Sequence, residues 1–463
     1  MKIFNKKNIF IAPYTPISKS FKDYLVSNLN INFCGFIDKN KKGINLYKIE
    51  QIQDTSFDFI IIISPNHYKS IYDDYLKLID NKKINIINIQ DNQYQLLKDY
   101  KKNDTSHIKE YSTKIDINNI QRKGVTFISK GFIDTNNKYL YLFCLFNKIT
   151  VHIVTDNKKQ LEELRRSKLA CTDLNTQESD ILIAQSKYLI FDQANHTNFY
   201  ISPNQITIQL WHGVGLKKMS KLTNITYDYF ISTSKWTNES NFINIFQSKK
   251  FLIYGYPRND FLLRETSSLD LLFCDKELYS FSKTHKIVLY VPTIREYLFQ
   301  GEKTYKDLLP FNFYTLNKSL NDINIVMIIK LHPYVLEFFY LFIENSDFSN
   351  IIFHPEQGDI YPILKYTDIL ITDYSSIAYD FLLLDRPIIF FDYDREKYEK
   401  NMDGFLFNYD EYTPGFKVQT QEELITAMTK VDTFKKQRKH IKNKFFDLQD
   451  QFASNKLFDI IKI

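Results

Sequence analysis

The sequence has little glycine and little proline, 11 and 12 residues in 463, and only four cysteines. Cys34, Cys144, Cys171 and Cys274 stand far apart and form no CxxC pair, so neither a zinc site nor a disulfide framework is expected, and a reducing cytoplasm fits. No window approaches about 18 uninterrupted apolar residues, and the start MKIFNKKNIFIAPYTPISKS lacks the apolar stretch of a signal peptide. Membrane spanning and secretion are therefore both disfavoured. A strong charge of one sign is missing too, since the net charge is +6. The basic runs Leu164–Lys168 and Lys435–Lys444 could meet phosphates or an anionic membrane surface, or simply be solvated helix faces. Neither sits in a nucleic-acid-binding pattern, so no nucleic acid is expected as a partner.

What is present is the balance of a folded globular chain, 44% hydrophobic and 25% charged. Its length exceeds one hydrophobic core, so two or three domains are expected. Much of the Phe and Tyr excess accompanies enrichment in Lys, Asn and Ile, which fits codon bias better than binding chemistry.

Short β-branched runs alternate with helix-like stretches along the whole chain, which predicts parallel α/β units. In the first segment the strand candidates are Asn8–Pro13, Ile31–Asp38, Phe57–Ser64 and Ile84–Ile89, with a helix over Tyr68–Asp80. Asp38 stands where a dinucleotide fold places its ribose-binding carboxylate, but the first turn, APYTPISKS, lacks the G-x-G-x-x-G that lets a pyrophosphate approach. An accessory domain over 1–103 is preferred, followed by a polar linker over 104–123. A second unit, 124–265, contains strand candidates Gly124–Ser129, Ile149–Thr155, Tyr188–Gln193, Gln205–His212, Tyr227–Ser234 and Lys249–Pro257. A third, 266–463, contains Lys286–Thr293, Asn324–Pro333, Asn350–Pro355, Asp368–Ser376 and Arg386–Asp394. Consecutive parallel sheets place ligands at the carboxyl ends of their strands.

The polar clusters fall at such ends. His212 follows an apolar run in QLWHGVGLKKM, with Gly213 and Lys217 close behind. Arg258 and Asn259 lie in YGYPRND, where Arg258 either reaches a phosphate or carboxylate or pairs with Asp260. Thr293 and Arg295 follow a strand in VPTIRE, and Lys330 and His332 do so in IIKLHP. Asp373, Ser375 and Ser376 sit between a buried strand and a helix, where the serines either cap the helix or hold phosphate oxygens. Together these residues offer cations, hydroxyls and imidazoles, which suits a diphosphate substrate without a metal cage.

WHGVGLKKM, YDYFISTS, GYPRNDFLL, VPTIRE, KLHP and TDYSSIAYDFLLLDRPIIFFDYDREKY stand in the order and spacing of the CDP-glycerol glycerophosphotransferase family, the teichoic-acid primases and polymerases. The chain resembles that family from roughly Gly124 to Asp432. The resemblance implies an α/β GT-B fold, two Rossmann-like parallel-sheet domains facing across a cleft, here with an N-terminal α/β accessory domain. It implies a transferase that moves glycerol phosphate or another polyol phosphate from CDP-glycerol or CDP-ribitol to a hydroxyl of a lipid-linked or glycan acceptor, releasing CMP.

Carried onto this chain, the resemblance makes His212 the base. His332 becomes the leaving-group acid or a phosphate contact, and Ser375 and Ser376 hold the diphosphate. Gly213, Lys217, Arg258, Asn259, Thr293, Arg295, Lys330 and Asp373 contact substrate. No metal site and no obligatory cofactor are implied, with Mg2+ at most a stimulant. The resemblance also implies a cytoplasmic protein able to sit on the inner membrane face. A GT-B nucleotide-sugar glycosyltransferase of capsule or lipopolysaccharide synthesis is the competing reading. The chain departs from the family's WHGTPLK at Val214 and Gly215, and from its PTWR at Ile294, which is expected to alter acceptor fit more than chemistry.

Overall fold

The computed structural model describes residues 2–39, 43–53, 55–64, 68–76, 78–90, 93–96, 121–193, 201–219, 222–299, 308–356, 358–401 and 404–461. The chain divides into two compact units, Met1–Asp116 and Ile117–Ile463. The expected linker, 104–123, lies outside the described residues up to position 120.

The first unit is a six-stranded sheet built from β1 (Asn8–Ala12), β2 (Asn32–Ile37), β3 (Leu46–Tyr47), β4 (Phe59–Ile62), β5 (Ile84–Gln90) and β6 (Gln93–Leu96), in the order β3-β2-β1-β4-β5-β6. All neighbours are parallel except β5 and β6. Alternation decides the two faces: Phe10 and Ala12 of β1 enter one core, Ile9 and Ile11 the other. A sheet covered on both sides reads as an unbroken apolar run, as IFIA does. The Asp38 carboxylate accepts the Tyr14 backbone N–H at 3.1 Å. It therefore ties the end of β2 to the turn where a glycine-rich phosphate loop would have to lie.

The second unit holds two parallel sheets. The first comprises β7 (Val125–Ile128), β8 (Val151–Thr155), β9 (Cys171–Asp173), β10 (Tyr188–Phe191), β11 (Ile206–Gln209), β12 (Leu222–Ser232) and β13 (Phe246–Ile253), in the order β13-β12-β11-β10-β7-β8-β9. The second comprises β14 (Ile287–Tyr290), β15 (Val326–Ile329), β16 (Ile351–Phe353), β17 (Ile369–Thr372), β18 (Ile388–Phe391) and β19 (Phe416–Val418), in the order β16-β15-β14-β17-β18-β19. One apolar cluster joins the two halves, from Phe191, Trp211, Val214 and Leu216 to Tyr374, Ile377 and Phe381.

The two sheets of the second unit lie on either side of position 266, β13 ending at Ile253 and β14 starting at Ile287, while the chain's last helix returns to the first of them. Helix Ala453–Ile461 carries Leu457 and Ile461 into the core around Val125, Phe127 and Tyr256, on the side of the first sheet. The Asp260 carboxylate accepts the backbone N–H groups of Ala453 at 2.9 Å and Ser454 at 2.7 Å. Those donors have no partner inside their own helix, so an acid at its N-terminus fixes where it docks.

Candidate active site between the two halves of the second unit

The loop after β11 presents His212. Trp211 before it has φ +57°, a left-handed conformation costly for a bulky side chain, and Gly213 after it has φ +122°. The pair of reversals is held in place. The Gln209 side chain accepts the Trp211 N–H at 2.8 Å, and the Asn136 amide donates to the Trp211 carbonyl at 2.9 Å. The indole is buried against Phe246, with ring centroids 4.7 Å apart. His212 is exposed to solvent, yet the protein packed around its ring desolvates it. This crowding, with the Arg258 guanidinium, pushes its pKa down to about 4, against the opposing pull of Asp192. A neutral imidazole has one N–H, which donates to the Asp192 backbone, so the other ring nitrogen keeps its lone pair.

Behind this loop lies Arg258, in helix Pro257–Leu263. Its Nη2 donates to the His212 carbonyl at 3.0 Å and to Asp380 Oδ2 at 2.6 Å, and the Tyr361 hydroxyl donates to the same carboxylate oxygen at 2.7 Å. Asn136 accepts the Arg258 backbone N–H at 3.3 Å, completing a brace across helix, loop and second half. A second buried ion pair joins the halves: Lys138 donates to Asp359, which also accepts the Tyr139 hydroxyl at 2.7 Å. The stretch TNNK, from Thr135, thus supplies two of the braces. Its signal in the sequence is a run of polar residues opening an apolar helix.

A methyl group on Gly213 would lie 2.7 Å from Arg258 Nη2 and 3.4 Å from Ser376 Oγ. His212's own loop is therefore pressed against the serine turn of the other half. The Gly213→Ala protein is expected to lose about 1–3 kcal/mol from the backbone conformation alone, more if the Arg258–Asp380 pair is displaced. A urea titration beside the wild type checks this. Lys217 lies further along, where its backbone bridges to Phe405 and Leu406 N–H donates to the Leu216 carbonyl at 2.6 Å. Ser375 Oγ accepts the Ile377 N–H at a long 3.5 Å, so capping engages it only weakly.

A second cluster lies past β14 and β17. Arg295 is buried and bidentate on Asp394, through Nε at 2.8 Å and Nη2 at 2.9 Å, while Nη1 donates to Asp373 at 2.6 Å and to the Thr293 carbonyl at 2.6 Å. Asp373 also accepts the Thr293 N–H at 3.0 Å. Burial alone would raise the Asp394 pKa, but Arg295 and the hydroxyls of Tyr297 and Tyr374 outweigh it and hold the carboxyl below its usual range. Thr293, Ile294, Arg295 and His332 line a small recess of about 20 Å³. His332 is exposed, and its Nδ1 accepts the Tyr334 N–H at 3.2 Å. Lys330 donates to three carbonyls, Pro355, Glu356 and Gly358, at 3.0–3.3 Å.

Three expectations change. Arg258 and Arg295 do not offer unshared cations to a phosphate, because each is held by buried carboxylates, and Lys330 is wrapped by carbonyls. Their place is the framework around the site. Arg258 does not pair with Asp260, which instead caps the last helix. Val214 is 2% exposed and packs in the shared core, so it replaces a hydroxyl with apolar filling and does not reach the cleft. Ile294, by contrast, lines the recess beside His332. The structure brings Gly213, Arg258 and Ser376 together, and separately Thr293, Arg295, Asp373 and His332. Asn259 is buried in the helix of Arg258 with neither side-chain polar atom bonded to a described residue.

A sequence model of the CDP-Glycerol:Poly(glycerophosphate) glycerophosphotransferase family matches residues 110–462. The chain belongs to this family. It is 33% identical over 253 residues to a teichoic acid poly(glycerol phosphate) polymerase of Bacillus spizizenii, covering 50% of this chain and 63% of the relative. It is 29% identical over 288 residues to a teichoic acid glycerol-phosphate transferase of Staphylococcus aureus, covering 57% and 72%. The matched part thus spans less than two thirds of the first of these relatives. Among solved structures, a variant of the wall teichoic acid polymerase TagF superposes with a TM-score of 0.63 at 22% identity, over 78% of this chain and 96% of that one. A form of the same polymerase soaked with CDPG gives the same TM-score at 21% identity, over 78% and 96%. At such identity the likeness establishes the GT-B-like fold. Among the described residues no helix is long and apolar enough to cross a membrane, and no three His, Cys, Asp or Glu side chains gather as metal ligands would.

Proposed function

We propose that this chain transfers glycerol phosphate, or another polyol phosphate, from a CDP-alditol to a hydroxyl of a cell-surface glycan or polyol-phosphate chain, releasing CMP. The observation that carries the reading is the contact between the His212 loop and the Ser376 turn in a chain of this family. The loop that carries the neutral His212 imidazole meets the turn that carries Ser375 and Ser376, whose hydroxyls can hold a diphosphate.

The acceptor oxygen attacks the β-phosphorus while His212 removes its proton, and the bond from the β-phosphorus to the bridging oxygen breaks to give CMP. Ser375 and Ser376 hold diphosphate oxygens, Lys217 adds positive charge nearby, and His332 either protonates the departing phosphate or binds it. Arg258 acts as a positioning residue, since it holds the His212 carbonyl. Mg2+ carried in by the diphosphate would add charge compensation without being obligatory. The acceptor is lipid-linked or a glycan, and we place the chain on the cytoplasmic side, at the inner membrane face when acting on a lipid-linked acceptor.

The test is a donor panel. CDP-glycerol or CDP-ribitol with a polyol-phosphate acceptor should yield CMP and an extended acceptor. Turnover of UDP- or CMP-sugars, with none of the CDP-alditols, would move the assignment to sugar transfer.

A further inference from the structure

Asp134 ends the helical turn Phe132–Asp134 that follows β7, at the carboxyl end of the sheet that also presents His212. It is half-buried and makes no ion pair or hydrogen bond with another described residue. The charges facing it come from three other elements: Lys330 past β15, Asp359 before helix Tyr361–Leu364, and Arg258, with the Tyr361 hydroxyl also near. Each of these already has its partners. Lys330 is held by three carbonyls, Asp359 by Lys138, and Arg258 and Tyr361 by Asp380. Burial raises the Asp134 pKa, with Lys330 pulling the other way.

A carboxylate crowded by protein, with its own backbone N–H as its one donor among the described residues, keeps most of its acceptor capacity unmet and costs the fold stability. A ligand that brings donors would remove that cost. An ionised carboxylate only accepts hydrogen bonds, so the ligand must present O–H or N–H groups. A phosphate is disfavoured by repulsion from the Asp134 carboxylate itself and from neighbouring Asp359. A metal cation is disfavoured by Lys330 and Arg258. Neutral hydroxyls remain, and two adjacent ones match the two carboxylate oxygens.

We propose that Asp134 is a polyol-binding residue, accepting hydrogen bonds from alditol hydroxyls held between the two halves of the second unit. The hydroxyls belong either to the donor's polyol or to the terminal polyol of the acceptor. The inference rests on the transferase reading above and names a residue that selects its substrate. The full chain with Asp134→Ala is assayed at varied CDP-glycerol and at varied acceptor, and CMP binding is measured alongside. One KM should rise about 10- to 100-fold, the loss expected for hydrogen bonds to a charged group, with CMP affinity unchanged. A rise for CDP-glycerol identifies the donor as the source, and a rise for the acceptor identifies the acceptor.

The Asp134→Asn protein should melt no lower than wild type at neutral pH. A carboxyl whose folded pKa is raised destabilises the fold once ionised, so the difference should vanish at pH values where the carboxyl is protonated in both states. Both KM values unchanged in folded Asp134→Ala, or a lower melting temperature for Asp134→Asn, would overturn the inference while leaving the transferase reading intact. Wild-type protein that releases no CMP from any CDP-alditol overturns both.

Discussion

His212→Ala should slow transfer from a CDP-alditol by about 10²- to 10⁴-fold, the usual worth of a general base, while leaving donor binding nearly unchanged. The ring lies in a loop whose backbone is held from four sides, by Gln209, Asn136, Arg258 and the packed indole of Trp211. Removing the imidazole therefore removes chemistry without removing the loop. With its pKa near 4, the ring is neutral and competent at neutral pH, so the acid limb of kcat/KM should fall well below the value of 6.5 for an unperturbed histidine. The stability effect has a defined sign. Between about pH 6.5 and 4 the unfolded chain binds a proton at this position that the folded chain does not, so the residue costs stability as pH falls through that window. The His212→Ala protein should accordingly lose less stability than wild type between those pH values. Near-wild-type turnover by the variant would remove His212 from the base role.

The second large effect is on the fold. Asp380→Ala leaves the buried Arg258 guanidinium without its carboxylate, which should cost about 3–5 kcal/mol, the range for one partner of a buried ion pair. It also strands the Tyr361 hydroxyl. Denaturant titration of Asp380→Ala beside wild type measures the loss. Replacing both partners with apolar residues, Arg258→Met with Asp380→Leu, should recover most of the stability, since a well-packed apolar pair often matches a buried ion pair. It should not recover transfer, because the donor to the His212 carbonyl is gone. Full activity in that double variant would show that Arg258 does not position the loop.

The fold was legible because parallel strands covered on both faces leave dense apolar runs, and each strand candidate read from such a run lies on a strand. The strands that were not legible are β3, β6, β9 and β19, all at sheet edges and two to four residues long. QYQL and CTD carry too little apolar surface to stand out. The positions of the site residues past strand ends were also legible, but their partners were not. Nothing near Arg258 in sequence points to Asp380, 122 residues away, and the nearer Asp260 is the more obvious partner. Likewise Arg295 meets Asp394 across 99 residues. Long-range pairing between strand-end loops is a property of the packed sheets, so a cation that looks free in the sequence can be fully used in the fold. Asp134 shows the reverse case, a residue inside a recognised stretch whose lack of a partner on any other described residue appears only in three dimensions.

On the proposed mechanism the bond broken joins the β-phosphorus to the bridging oxygen of the donor, with His212 activating the acceptor. The direct measurement is the nucleotide product formed from CDP-glycerol labelled in the β-phosphate, followed by chromatography in the presence of acceptor. Unlabelled CMP, with the label carried into the acceptor, is the expected result. Labelled CDP, with unphosphorylated glycerol on the acceptor, would contradict it.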